Sequence, residues 1–235
     1  FLRVSNAALW AAMIGLSALF TVMIFVFNFD TGWNWETYTY SGFWTPAGFF
    51  RNLFFNGWHP VIPWMAFVIF GIWLSRLDLK TARVRRGLMI YGAVVYMVTT
   101  GLSAWLMNIT GKVDAEAAIL FSTSPVPPFP LYMLAGASFA SMLIGLCLYL
   151  EAPLRRMGVL SVFTVPGRQT WTLYMAHIFL GIGTLEALGL LGGQTAGNAF
   201  FASMLFCVIA VVYSLIWSKL FKRGPLEMLM RRMTS

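Results

Sequence analysis

The sequence predicts an all-α, polytopic membrane helix bundle with about six transmembrane helices. Of its 235 residues, 59% are hydrophobic and only 10% are charged, whereas a soluble domain has roughly 25% charged residues. The apolar residues also lie in long continuous runs, and a bilayer-spanning helix needs about 20 of them. Composition and run length together exclude a disordered chain and almost any water-soluble enzyme.

Six apolar runs account for the predicted spans. They lack the alternating hydrophobicity of an outer-membrane strand, so each is expected to be a helix. In chain order they cover residues 7–27, 60–77, 88–108, 130–150, 170–191 and 199–217. We expect them to form a single transmembrane domain over residues 1–235, which is the back part of a longer chain.

The positive charges predict the orientation of this bundle, because cytoplasmic loops of membrane proteins carry an excess of Lys and Arg. Arg51 and Lys112 fall on one side of the predicted spans, and the remaining cations fall on the other. Both termini are therefore expected in the cytoplasm. This arrangement accounts for the net charge of +8 without a nucleic-acid partner. The cations assigned to the cytoplasmic side are Arg3, Arg76, Lys80, Arg83, Arg85, Arg86, Arg155, Arg156, Arg168, Lys219, Lys222, Arg223, Arg231 and Arg232.

The first outer loop, residues 28–58, is rich in aromatic side chains. Within it, Thr45 and Pro46 are typical of an N-cap followed by proline at the first helical position. A short helix is therefore expected from Pro46 to about Asn56, lying in the outer membrane interface. The aromatic residues fit an interfacial belt, and they equally fit a lid or sugar-stacking surface over an outward-facing cavity.

His59 is a candidate catalytic residue at the outer mouth of the second span. Pro60 restricts the backbone of His59 to an extended conformation, and a helix N-terminus close by disfavours an imidazolium. A neutral imidazole held there can act as a general base. The alternative is a structural corner in which His59 bonds to a loop carbonyl. Asn56 and Trp64 flank this segment as polar residues that either line a substrate path or support the structure.

The fifth span carries a second group of polar residues, which are costly inside a membrane and tend to be functional. Tyr174 and His177 are three residues apart and share a helix face. Glu186 follows nine residues after His177 and would lie on the opposite face of a straight helix. These residues either line a polar pathway, with His177 as a second candidate catalytic group, or are core residues with satisfied hydrogen bonds.

Several familiar catalytic and cofactor motifs do not occur in the sequence. It contains no P-loop, no G-x-S-x-G elbow, no H-E-x-x-H and no dinucleotide fingerprint. With two histidines and two cysteines in the whole chain, we expect no metal, haem or nucleotide site.

Four segments resemble the carboxy-terminal part of YeiB-type bacterial membrane proteins, which are related to heparan-α-glucosaminide N-acetyltransferase. The resemblance extends in order over nearly the whole chain. The segments are LFFNGWHPVIPWMAFVIFGIWLSRLDL (53–79), FSTSPVPPFPLYMLAGA (121–137), TLYMAHIFLGIGTLEALG (172–189) and GPLEMLMRR (224–232). The helices that open the chain in that family have no counterpart here.

This resemblance implies an acyltransferase-like fold in the bacterial cytoplasmic (inner) membrane. Better-understood relatives take an acetyl group from cytoplasmic acetyl-CoA and pass it to an amine or hydroxyl of a sugar on the far side. Here His59 would be the outer base, and His177, Tyr174 and Glu186 would line the path. Basic cytoplasmic loops suit CoA phosphates. The candidate CoA-binding residues are Arg83, Arg85, Arg86, Arg155, Arg156 and Arg168.

Two hypotheses about function follow from the sequence. The first is an integral membrane acyltransferase that uses acetyl-CoA or another acyl-CoA as donor and a glycan or small molecule as acceptor. The second is a non-catalytic scaffold or binding subunit with membrane-protein partners in a larger assembly. In both hypotheses the lipid bilayer surrounds the chain. Transport of a small anion or lipid headgroup is less favoured, since paired broken helices are not evident.

Overall fold

The computed structural model describes residues 4–190 and 192–234. Arg3, counted above among the cytoplasmic cations, and Leu191, the predicted end of the fifth span, lie outside the described residues. The chain divides into two compact units, Phe1–Tyr149 and Leu150–Ser235. A single transmembrane domain over residues 1–235 remains a prediction.

The first unit is helical apart from one small hairpin. Strands β1 (Trp33–Asn34) and β2 (Thr39–Tyr40) pair antiparallel, with Trp33 opposite Tyr40. Its helices are α1 (Asn6–Val26), α2 (Pro46–Arg51), α3 (Val61–Leu74), α4 (Ala82–Gly111), α5 (Ala115–Ile119) and the greater part of α6 (Pro130–Arg156). Helix α2 continues directly into a π-helical turn at Asn52–Asn56.

The second unit is built from shorter helices and one long one. A π-helical segment, His177–Ile182, joins α8 to α9 without a break. The helices are α7 (Leu160–Gly167), α8 (Thr170–Ala176), α9 (Gly183–Ala187), α10 (Ala196–Trp217) and α11 (Pro225–Thr234).

Among the described residues, four helices are long and apolar enough to cross a membrane, namely α1, α4, α6 and α10. Helix α2 with its π-helical turn makes a 47° bend with α3, and the number is five if this bent pair is one span. These helices coincide with five of the predicted spans, so the helical class is confirmed. The predicted span at 170–191 falls on short consecutive elements, and the total of six remains a prediction.

Close approach of α4 and α6 depends on glycine. A Cβ built on Gly92 would lie 2.6 Å from the backbone nitrogen of Met142, and one on Gly145 would lie 2.6 Å from that of Met89. Small residues permit such crossings between membrane helices. Helix α1 packs on α3, and Met13, Ala66 and Phe70 of these helices form a buried cluster with Met133 of α6.

Candidate functional site

Asn56, at the end of the π-helical turn, is buried and holds the loop of residues 28–58 together. Its Nδ2 donates to the carbonyls of Phe29 at 2.7 Å and Thr31 at 2.9 Å, while its Oδ1 accepts from the Tyr40 hydroxyl at 2.9 Å. Its carbonyl accepts from Trp33 Nε1 at 2.6 Å. The amide of Asn56 is thus fully used within the loop, which favours the structural alternative for this residue.

The aromatic side chains of this loop pack against one another in a single cluster. Trp33 and Trp35 stack with ring centroids 4.8 Å apart, and Trp58 meets Trp33 edge-on at 5.2 Å. Arg51 Nε donates to the Tyr40 hydroxyl at 2.8 Å, and this bond links α2 to strand β2. The loop is therefore a folded cap that leads directly into the segment carrying His59.

His59 lies immediately before Pro60, the N-cap of α3. Its ring meets the Trp64 indole edge-on, with centroids 4.4 Å apart and an interplanar angle of 74°. The imidazole is exposed and forms no hydrogen bond with any described residue. The bond to a loop carbonyl that the structural alternative requires is not found in the part of the chain that the structure describes.

Trp64 supplies a second polar group beside that imidazole. Its Nε1 is buried, yet no described residue accepts its hydrogen. Besides His59, its ring contacts Phe67 at 5.5 Å and Tyr132 at 5.9 Å between centroids. A buried donor without an acceptor costs about 1–3 kcal/mol. A bound group could accept this hydrogen and recover that free energy only if the rings around Nε1 moved to admit it.

A cavity of about 840 Å³ lies in the first unit between α1, α3, α4 and α6. Phe67 lines it near one end and also contacts Trp64. Arg83, in the first turn of α4, lines it at the other end. The cavity therefore runs along the helices from the ring cluster around Trp64 toward the basic loop before α4.

The predicted arginine cluster at the start of α4 does not form one site. Arg83 faces the large cavity, whereas Arg85 and Arg86 line a separate recess of about 380 Å³ together with Tyr149. Arg85 is anchored there by bonds from Nε to the Leu79 carbonyl at 2.7 Å and from Nη1 to the Leu148 carbonyl at 3.0 Å.

The candidate arginines of the second unit are solvent-facing. Arg155 pairs with Glu151 one turn earlier on α6. Arg156, at the end of α6, and Arg168, just after α7, are exposed. These residues offer exposed positive charge.

Tyr174 and His177 share a face of the second unit, as their spacing predicts. His177 Nδ1 bonds to the Tyr174 carbonyl at 2.6 Å, and the ring centroids are 5.2 Å apart. Because a carbonyl only accepts, Nδ1 carries the hydrogen and Nε2 is the nitrogen left for other partners. Phe206 of α10 lies 6.4 Å from the imidazole.

Glu186, on α9, is exposed and has no hydrogen bond or ion pair with a described residue. The expectation that it opposes His177 assumed a straight α-helix. The π-helical segment between them bonds i to i+5 and changes the angle per residue, so the straight-helix geometry does not apply to this segment. Across the described ranges, no three His, Cys, Asp or Glu side chains gather closely enough to hold a metal ion.

The sequence reasoning missed Glu227, which caps the N-terminus of α8. Its Oε1 accepts from the backbone nitrogens of Trp171 at 2.8 Å and Thr172 at 3.1 Å, and its Oε2 accepts from the Thr172 hydroxyl. Burial raises the pKa of Glu227, but the bonds from Thr172 and Trp171 outweigh burial and hold the pKa below its ordinary 4.5. Helix α11 is thereby fastened to α8.

Gly224 and Gln169 complete this contact between α11 and α8. A Cβ on Gly224 would collide with the Glu227 carboxylate and lie 2.6 Å from the Thr172 hydroxyl. Gln169 is buried, and its Nε2 donates to the Ser214 carbonyl of α10 at 3.1 Å. The tail segment therefore needs glycine before the helix and an acid in its first turn.

Comparison with known proteins gives one match. The model of a family described as a protein of unknown function (DUF418) matches residues 71–235, more than two thirds of the chain. No curated protein and no solved structure matches the chain significantly. The matched range contains both groups of arginines, His177, Glu186 and Glu227, while His59 and Trp64 precede it.

Proposed function

The chain belongs to the DUF418 family of proteins of unknown function, and from this premise we propose that it is a YeiB-type membrane acyltransferase. In this proposal it spans the bacterial cytoplasmic membrane six times with both termini inside. It moves an acetyl or other acyl group from a CoA donor at the cytoplasmic face. The acceptor is an amine or hydroxyl of a sugar or similar molecule at the outer face.

The observation that carries the proposal is the pair of polar groups at the head of α3. A general base must reach the proton of the acceptor, and the exposed His59 imidazole has no described partner to displace. An acyl carbonyl needs a fixed donor as negative charge develops on its oxygen. The buried Nε1 of Trp64 lacks an acceptor and lies beside that imidazole.

The proposed step is a single acyl transfer. The nucleophilic atom of the acceptor forms a bond to the acyl carbon, and the carbon–sulfur bond of the thioester breaks. His59 takes the proton of the acceptor, and CoA leaves as the thiolate. Trp64 donates a hydrogen bond to the carbonyl oxygen throughout. No oxidant, reductant or further reactant is needed.

We assign the binding site of the CoA donor to the recess at the start of α4. Arg85 and Arg86 both line it, and guanidinium groups pair strongly with phosphate. Tyr149 adds an aromatic surface to the same recess. In the proposed topology this loop faces the cytoplasm, where acyl-CoA is found.

A scaffold or binding subunit is the second candidate, and the surface of α10 favours it. Few of its residues are buried, so much of this helix can contact lipid or another membrane protein. In this alternative, the purified chain has partner subunits in fixed stoichiometry and no acyl transfer.

The transferase proposal is tested with the purified chain in detergent micelles. Transfer of radiolabelled acetyl from CoA to glucosamine is measured for the wild type, H59A and the matched control K112A, which changes an exposed residue after α4. Loss of a general base lowers such rates about 100-fold. We expect that loss in H59A and none in K112A. An equal rate in H59A at equal expression would overturn the assignment.

A further inference from the structure

The proposed transfer leaves the 840 Å³ cavity between α1, α3, α4 and α6 without a role. Its walls are almost entirely apolar. Three serines line it, but each hydroxyl donates to a carbonyl of its own helix. Ser17 donates to Met13 at 3.2 Å, Ser138 to Leu134 at 2.7 Å and Ser141 to Ala137 at 2.8 Å.

These walls determine which kind of molecule can fill the cavity. A polar chain, such as one that carries amides, would lose its hydrogen bonds to water and find few replacements there. An empty apolar space of this volume also forfeits dispersion contacts along its walls. A hydrocarbon chain has no hydrogen bonds to lose, and it makes dispersion contacts with the apolar walls.

The wall that α4 contributes to the cavity is about as long as one leaflet of a membrane. Along α4 its lining extends from Arg83 to Val95, which is about 18 Å at the rise of an α-helix. The hydrocarbon core of a bilayer is about 30 Å thick, so one leaflet is about half of that. An acyl chain that enters at the Arg83 end can therefore follow this wall over about the length of one leaflet.

Arg83 marks the end at which the headgroup would lie. It is exposed and has no hydrogen bond or ion pair with any described residue. Trp10 and Trp73 line the same end and contact each other with centroids 5.0 Å apart. Indoles gather where the hydrocarbon meets the headgroups, and an unpaired guanidinium there attracts an anionic head.

We propose that this cavity binds one acyl chain of an anionic phospholipid, whose phosphate pairs with Arg83. The site lies in the leaflet on the side of the loop between α3 and α4. It uses residues other than His59 and the recess at Arg86, so its test is read out by bound lipid and not by acyl transfer.

The test uses the full chain in nanodiscs of phosphatidylglycerol and phosphatidylcholine in equal amounts. Lipid that remains on the released protein is identified by native mass spectrometry for the wild type, R83Q, A137F and the matched control K80Q. Lys80 lies in the loop between α3 and α4. It is a cation that does not line the cavity. The wild type and K80Q should retain about one phosphatidylglycerol per chain.

The two cavity variants, R83Q and A137F, should differ in their effect on bound lipid. R83Q should lower the preference for phosphatidylglycerol over phosphatidylcholine about fivefold, the effect of one basic residue on an anionic lipid. A137F should retain less of both lipids, because its ring occupies part of the space along which the chain would lie. An unchanged preference in R83Q, a wild type without bound lipid, or a second copy of the chain in place of lipid would each overturn the proposal. Because R83Q changes an exposed residue, its result stands even where A137F does not fold.

Discussion

The imidazole of His59 and the indole of Trp64 form an edge-to-face pair with centroids 4.4 Å apart. Each ring carries a nitrogen that no described residue uses, exposed in His59 and buried in Trp64. Pro60 and the start of α3 hold the two rings in this arrangement. A base and a hydrogen-bond donor are therefore fixed side by side at one end of α3.

Replacing Trp64 with Phe should separate activity from stability. The substitution removes a hydrogen-bond donor that has no described partner, so the free protein loses packing only. A catalytic donor to a developing oxyanion contributes about 100-fold or more. We expect kcat to fall by about that factor with KM nearly constant, in a steady-state assay of acyl transfer. A fall in melting temperature that fully accounts for the lost activity would contradict this role.

Replacing Arg86 with Gln should weaken CoA binding. A hydrogen bond to a charged group contributes about 1.5–3 kcal/mol, so the dissociation constant should rise at least about tenfold. Isothermal titration of CoA into the detergent-solubilised chain measures this change. K80Q is the matched control and should bind as the wild type does. Equal affinities of R86Q and the wild type for CoA would show that CoA does not bind in this recess.

Replacing Asn56 with Leu should destabilise the outer loop. Two carbonyls and one hydroxyl would lose their partner, those of Phe29, Thr31 and Tyr40. At about 1 kcal/mol or more for each buried group, the free energy of unfolding should fall by about 3 kcal/mol. Thermal unfolding in detergent measures the loss. The control N108L changes an exposed helical position and should melt as the wild type does.

The contact between Glu227 and Thr172 should depend on pH. The folded carboxyl has a pKa below its ordinary 4.5, so its stabilising effect is present above pH 4.5 and is lost as the pH falls through the folded pKa. We expect the hydrogen-exchange protection of α11 to be constant near neutral pH and to decrease below about pH 4.5.

The variant E227Q separates this carboxylate from other acidic groups. Without a charged acceptor, α11 should lose about tenfold or more in protection at pH 7, since charged hydrogen bonds contribute about 1.5–3 kcal/mol. Protection in E227Q should no longer change between pH 7 and pH 4, after correction for intrinsic exchange. If E227Q kept the acid response of the wild type, another group would be responsible.

The long helices could be predicted because a span is a local property. Each of α1, α4, α6 and α10 contains its own run of apolar residues. The segment after Thr170 could not be predicted as well, since no composition signal distinguishes an α-helix from the π-helical turn at His177–Ile182.

Only those contacts of the candidate site that join residues close together in the sequence could be predicted. His59 and Trp64 are five residues apart, and the intervening prolines bring them together. Arg83 and Arg85 are two residues apart on α4, and a rotation of about 100° per residue separates their directions. Arg86, three residues from Arg83, would share its face by the same rule, yet it lines the other recess, so the spacing alone does not predict which cavity each arginine lines. Glu227 and Thr172 are 55 residues apart, a distance that local patterns do not bridge.

The central claim is that an acyl group passes through this chain from one face of the membrane to the other, with His59 as the base. The most direct measurement seals labelled acetyl-CoA inside proteoliposomes and supplies glucosamine only outside. Wild-type chains should place label on the external amine, and H59A should do so about 100-fold more slowly. Label that never appears outside, or that appears equally fast with H59A, would contradict the account.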